Sequence, residues 1–238
     1  VNASCCGTAS LIDPFACEPR TNQQTTSVPA MQNNEIWIPL FPLNTVLFPG
    51  GILPLKIFEA RYIDMVRDCM KRDAPFGIVL IKSGQEVGQA AEPEEVGCLA
   101  HIDHWDMATL GVLLLRTRGS DRFRILEKRE MPDHRLEAKI EMIAPDAEVP
   151  ISGMHLTCAK ALKIVIDDIN ARGLADQGTA FESPVSLPMK LNEAGWVANR
   201  WCEILPIPLK ARQKLLELAD SQSRLMVVHQ YLKQHKIL

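Results

Sequence analysis

Three groups of residues in this 238-residue chain have side chains capable of chemistry. Cys98, His101, Asp103, His104 and Asp106 bring thiolate, imidazole and carboxylate together, the donor types that hold a transition metal. On a strand, however, successive side chains point to opposite faces, so Cys98 and His104 face one way and His101 the other. That alternation favours a polar hairpin end over a metal centre. His155 and Cys158 stand three apart in a helical stretch and have the types of a base and a nucleophile, but no third group to orient the base is evident. Arg116, Arg118, Arg122, Arg124, Lys128 and Arg129 recur at alternate strand positions, as a stripe for nucleic acid or an acidic peptide would. Asp121, Glu127 and Glu130 dilute them, and a solvated sheet face accounts for the pattern.

Motifs that commit a chain to nucleotide or acyl chemistry are missing. There is no Gly-x-x-x-x-Gly-Lys-Ser/Thr phosphate loop, no Gly-x-Gly-x-x-Gly, no His-Glu-x-x-His and no Gly-x-Ser-x-Gly. The formal net charge of −3 gives the whole molecule no electrostatic footprint for nucleic acid. With 47% hydrophobic and 23% charged residues, the composition is that of a globular protein with a sizeable core. No apolar run is long enough to span a bilayer and no signal peptide is evident, so the expected compartment is the cytoplasm. The 7 cysteines include no Cys-x-x-Cys pair and read as free thiols, with Cys69, Cys98, Cys158 and Cys202 among apolar neighbours. No cofactor or metal is expected.

The elements that position these residues follow from periodicity. Residues 1–34 are rich in Thr, Asn, Ser, Gln and Pro and bury too little apolar surface to offset their ordering entropy. They are expected to be a disordered or non-native extension, with Met31 as an alternative translational start. From residue 35 the chain turns β-rich. Trp37–Leu40 reads as a strand whose Pro39 favours an edge, Pro49-Gly50-Gly51 as a bend, and Leu53–Ile57 as extended. Phe58, Tyr62, Met65, Val66 and Cys69 share one face of a helix that Pro75 ends. Strands are expected at Phe76–Ile81, Val96–Ile102, Leu110–Thr117, Arg122–Leu126 and Leu136–Ile143, with a hairpin turn at Arg118–Asp121. Past residue 150 the pattern becomes helical. Leu162, Val165, Ile166 and Ile169 form a stripe that Gly173 stops, Asn192 is a candidate cap for the next helix, and Asp220 caps the last. The division is a β-barrel subdomain at 35–148 and a helical bundle at 149–238, an α+β fold.

The run Ile38-Pro39-Leu40-Phe41-Pro42-Leu43-Asn44-Thr45-Val46-Leu47-Phe48-Pro49-Gly50, continued by Leu53-Pro54-Leu55-Lys56-Ile57-Phe58-Glu59-Ala60-Arg61-Tyr62, resembles the opening of the amino-terminal, substrate-binding domain of Lon proteases. Phe76-Gly77-Ile78-Val79, Val96-Gly97-Cys98-Leu99-Ala100, Gly119 with Arg122-Phe123, and Gln213–Glu217 with Asp220 and Arg224-Leu225 extend the likeness from about residue 36 to the carboxyl end. Cys98 stands where that family usually has Thr. The resemblance implies a PUA-like β pseudo-barrel followed by a helical bundle, and a recognition domain without the ATPase and Ser-Lys protease modules of full Lon enzymes. Most residues of the motif read as structural. Pro42, Pro49, Gly50 and Pro54 fix bends, and Leu43, Phe48, Leu53, Phe58, Tyr62 and Phe123 supply apolar volume. Glu59 complements the helix dipole, Arg61 has a carboxylate within reach, and Arg122 leads the Arg-Phe strand. The expected function is non-catalytic binding of polypeptides, either unfolded clients or a partner protein, with Trp105 and Met107 in a hairpin loop as exposed anchors and Phe48 as a third. The rivals are an RNA-binding PUA-like module, by fold analogy only, a metal-dependent sensor or hydrolase at His101 and His104, and a regulator of the full-length Lon protease.

Overall fold

A computed structural model describes residues 36–178 and 181–238. The expectation for residues 1–34 lies outside the described residues. The described chain is β-rich first and helical second, as periodicity predicts. Its strands are β1 (Ile36–Leu43), β2 (Ile52–Ile57), β3 (Phe76–Ser83), β4 (Glu92–Pro93), β5 (Val96–Thr109), β6 (Val112–Glu130) and β7 (Leu136–Met142). Helix α1 (Ala60–Arg72) interrupts them. A 3₁₀ turn (Gly153–His155) then leads into α2 (Leu156–Gln177), α3 (Ala194–Ile204), α4 (Leu209–Glu217) and α5 (Ser221–Gln234).

Five strands close into a barrel. β1 pairs antiparallel with β7 through Ile36–Leu40 and parallel with β3 through Leu40–Leu43. The ring continues β7–β6–β5–β3. Pro39, which has no N–H to give, sits where β1 has β7 as a neighbour and β3 has not yet joined. β2 lies outside the ring against the first half of β6, with Ile52–Ile57 opposite Leu113–Arg118. The fold is therefore an α+β pseudo-barrel followed by helices.

Four local expectations are corrected. First, Arg118–Asp121 makes no hairpin turn, because β6 runs unbroken over 19 residues. Gly119 is pinned on both sides of its peptide: Gly50 N–H donates to its carbonyl and its own N–H donates to the carbonyl of Gly51, each at 2.8 Å. The small and polar residues there serve a bulge, since Cys98 opposes Arg122 while Ala100 opposes Gly119. The reversal occurs at Leu110-Gly111, where Gly111 takes φ +83°.

Second, Phe58 is 58% exposed and does not lead the buried face of α1, because the helix begins two residues later at Ala60. Tyr62, Met65, Val66 and Cys69 are buried as their spacing predicts. Third, Gly173 lies inside α2, with the Phe181 ring where its Cβ would be, and the helix stops at Gly178 with φ +59°. Fourth, Glu193 occupies the cap position of α3, and no side chain bonds there, so Asn192 is not the cap. Asp220 does cap α5, accepting from the backbone N–H groups of Gln222 and Ser223.

One apolar cluster crosses from strands to helices. Val46, Phe48, Leu80 and Val96 pack in it with Leu162, Val197, Trp201, Leu216 and Leu225. Trp201 is satisfied within it, its indole N–H donating to the carbonyl of Cys158 at 3.0 Å. Beside the cluster, Asp146 in the connection after β7 receives two buried guanidiniums, Arg122 from β6 at 2.8 Å and Arg224 from α5 at 2.6 Å. A second cluster lies under α1, where Tyr62, Met65, Val66 and Cys69 meet Leu113 and Leu115. Among the described residues no helix is long and apolar enough to cross a membrane.

Candidate polypeptide-binding surface

β5 and β6 form a long arm. β3 covers β5 only across Cys98–Ala100, whereas β2 covers β6 across Leu113–Arg118. Trp105 pairs with Leu115 and Met107 with Leu113, so all four side chains share a face of the arm. Leu113 and Leu115 are buried under α1. One strand further out, Trp105 is 49% exposed and Met107 53% exposed, and Leu110 at the tip is 98% exposed. An apolar row thus starts in the core and ends in solvent. Trp105 and Met107 lie in a strand rather than in the expected loop, because pairing with β6 continues to Thr109 opposite Val112. Trp105 also lines a hollow of about 320 Å³ with Cys69, Met70, Asp73 and Ala74 at the end of α1.

The three chemical constellations disperse. Cys98 is fully buried, and burial followed by the charges of Glu203 and Asp121 pushes its thiol far above the usual range. His101 and His104 are exposed, and Asp103 is held by Arg118 at 2.6 Å. His155 meets His229 edge-on at 5.3 Å between ring centroids, and the Cys158 thiol, raised by burial to about 11, lies in the core. Each member of the basic stripe is matched by a carboxylate: Arg116 by Glu182, Arg118 by Asp103, Arg122 by Asp146, Arg124 by Glu95, Lys128 by Glu92 and Arg129 by Glu137. The stripe therefore presents no uncompensated positive field to a phosphate backbone.

Burial of the four described thiols has a measurable consequence. In the folded protein at pH 8, Cys69, Cys98, Cys158 and Cys202 are expected to resist iodoacetamide, and all four react once the chain is denatured. Peptide mass spectrometry separates them from Cys5, Cys6 and Cys17. Because the folded-state values are raised, these thiols contribute stability below their ordinary value of 9.0. That contribution is lost as pH climbs toward the folded values of about 11 for Cys158 and about 12 for Cys202.

The motif residues join the barrel to the helices. Phe48 is 0% exposed and is no surface anchor, because its ring fills the shared cluster, where full burial of such a side chain is worth about 1.5–3 kcal/mol. The Pro49 carbonyl accepts from Arg200 at 3.0 Å and from Asn199 at 3.4 Å. Gly50 takes φ +74°, and a Cβ on Gly51 would lie 2.3 Å from the Glu203 carboxylate. That carboxyl is pushed up by burial and held down by Arg200. Arg61 pairs with Glu59 at 2.9 Å and donates to the carbonyl of His134, while Tyr62 stacks on Phe41 at 4.2 Å. Pro42, Leu43 and Phe123 are buried, Leu53 is half-buried and Pro54 is exposed on β2.

Two concave surfaces lie away from Trp105 and Met107. A cleft of about 420 Å³ lies between the Pro49-Gly50 turn, Arg118–Arg122 of β6, Pro145–Glu148 and the start of α3. A second, almost wholly apolar groove of about 630 Å³ runs along α4 and α5, lined by Leu205, Ile207, Leu215, Leu218, Val228 and Tyr231. The helical spacing of those residues is the same whether they face a core or a groove, so no signal in the sequence distinguishes the two.

The ATP-dependent protease La (LON) substrate-binding domain family matches residues 37–234, nearly all of the described chain. The chain belongs to that family. A solved Lon N-terminal domain protein from Xanthomonas campestris is 30% identical with a TM-score of 0.63, covering 81% of this chain and 96% of that one. The N-terminal domain of the Mycobacterium avium complex Lon protease shares the fold at 14% identity and a TM-score of 0.57, covering 84% of this chain and 100% of the other. Lon protease of Anaeromyxobacter dehalogenans is 23% identical over 204 residues, 84% of this chain and 23% of the relative. This Lon substrate-binding-domain chain thus spans about a quarter of the length of the curated Lon proteases it matches.

Proposed function

We propose that the chain is a non-catalytic polypeptide-binding module of the cytoplasm, and that Trp105 and Met107 on the β5–β6 arm are its apolar anchors. The barrel subdomain, residues 35–148, presents the arm, and the helical subdomain, residues 149–238, packs against the barrel through the shared apolar cluster. The observation that carries this reading is the apolar row that leaves the core between Leu115 and Trp105 and ends half in solvent at Met107. A large ring and a flexible thioether suit varied sequences, since both make contact area without demanding one partner geometry. Membership of a substrate-binding-domain family points the same way. The client is an unfolded chain or a segment of a partner protein, and no residue here performs chemistry on it.

A reduced, carboxymethylated and therefore permanently unfolded polypeptide is the probe. Fluorescence anisotropy should show saturable binding by the micromolar range. Trp105→Ser with Met107→Ser should weaken it by about tenfold or more, the loss of roughly 1.4 kcal/mol or more that truncating interface anchors produces. The denaturation midpoint should barely move, because both side chains are half-exposed. Saturable binding that the double variant leaves intact would place the anchors elsewhere, and no binding at high micromolar concentration would end the reading.

A further inference from the structure

β3 enters the barrel at Phe76, opposite Ala100 of β5. Before Phe76 the chain has turned away into α1 through Asp73, which is left-handed at φ +49°. β5 continues past Ala100 to Thr109 with β6 along one side. Along its other side no strand lies among the described residues, and no backbone hydrogen bond outside the ladders begins or ends at residues 101–109. In an antiparallel pair, alternate residues direct N–H and C=O away from the partner. The outer side of β5 therefore carries a row of unmatched donors and acceptors, the template to which another chain adds.

The space beside that edge has a far wall. Met70, Asp73 and Ala74 at the end of α1 face His101, Ile102 and Trp105 across the 320 Å³ hollow. It is the lane β3 would fill if it were extended backwards. Its charge selects the occupant. Asp73 and Asp106 have no ion-pair partner among the described residues, and Asp103 is matched by Arg118. Of the cations nearby, Lys71 and Arg135 have carboxylate partners in Asp68 and Asp133, while Arg72 donates to the Asp68 carbonyl and keeps its charge at the α1 end of the lane. A second copy of the same edge would bring like carboxylates together, whereas a basic segment is attracted.

We propose, on the basis of the polypeptide-binding role, that a client is held in this lane as an added β-strand. The segment it fits is extended, about nine residues long, apolar at alternate positions and carries Lys or Arg at its ends. Backbone bonds to β5 supply sequence-independent affinity, and Trp105 and Met107 select the alternate apolar side chains.

The test uses a nine-residue peptide that alternates Leu and Thr between terminal Arg residues, with two derivatives N-methylated at every second amide, one in each frame. One frame should lose about tenfold or more in affinity and the other should stay within about threefold of the parent, because only one set of amides faces β5. Hydrogen exchange at residues 101–107 should slow when the parent peptide is added. Asp106→Lys should shift preference toward the same peptide ended with Glu. Equal binding of both frames and the parent, or protection along α4 and α5 instead, overturns strand addition and leaves polypeptide binding standing. Binding of the carboxymethylated polypeptide without binding of the parent peptide also overturns strand addition alone. Failure of both probes to bind overturns both proposals.

Discussion

Asp146→Ala is expected to destabilise the protein by about 3–5 kcal/mol, the cost of leaving buried charge without its partner. Its carboxylate is the one anion shared by Arg122 and Arg224, whose side chains are essentially inaccessible. Both guanidiniums also donate to backbone carbonyls at the end of α4, and Arg224 donates to α3 as well. Arg122 donates to the carbonyls of Leu216 and Leu218, and Arg224 to those of Leu215 and Leu218 and to the Asn199 side chain. Burial, then the charge of Arg224, already lowers the Arg122 pKa, and Asp146 opposes both effects. Without the carboxylate, two cations face each other away from water. Asp146→Asn keeps the shape and one acceptor, and should lose less. Arg118→Ala, which breaks a half-exposed pair with Asp103, should cost no more than about 1 kcal/mol. Urea unfolding followed by tryptophan fluorescence ranks the three, and a cost for Asp146→Ala as small as that for Arg118→Ala would show that the clamp does not hold the two halves together.

Gly119→Ala is expected to cost about 3 kcal/mol, at the upper end of overpacking effects. A Cβ there would lie 2.3 Å from the Phe48 carbonyl oxygen and 3.0 Å from Leu47. The carbonyl cannot swing aside cheaply, because it accepts from Gly51 N–H at 2.9 Å and the turn is bonded to Gly119 in both directions. Gly111→Ala is the comparison. Open space surrounds it, and only its φ of +83° opposes a side chain, at roughly 1–2 kcal/mol. In a thermal scan each kcal/mol moves the midpoint by about 2–4 °C in a domain of this size, so the two variants are readily separated. Equal shifts would mean that the contact between β6 and the Pro49-Gly50-Gly51 turn is soft.

Such contacts also mark where sequence reasoning succeeds and where it stops. The buried face of α1, the Asp220 cap and the order of strands before helices are local, and spacing or one side chain decides each of them. Arg122 is different. Its alternation with Arg116, Arg118 and Arg124 reads as one solvated face, but the bulge at Ser120-Asp121 inserts a residue and turns it inward. Gly119-Ser120-Asp121 is equally good chemistry for a turn, and only the distant Gly50-Gly51 bend selects the extended form. Phe48 and Phe58 exchange their expected roles for the same reason: where the chain bends, spacing no longer says which side is in. At Trp105 and Met107 the charged neighbours His101–Asp106 signal exposure, while the length of the strand depends on β6 being braced by β2.

The closure of the barrel by its first strand bears on how the protein is made. β1 leaves the ribosome before the rest of the ring, yet one of its two neighbours is β7, the last strand of the ring to be synthesised. Until Leu136–Met142 has emerged, the Ile36–Leu40 edge stands open for the many seconds that translation of the intervening chain takes. The Asp146 clamp must wait longer still, for Arg224 in the final helix. Such long-range pairing delays folding, so until β7 and α5 have emerged the nascent chain is a polypeptide of the very kind we propose the folded chain binds.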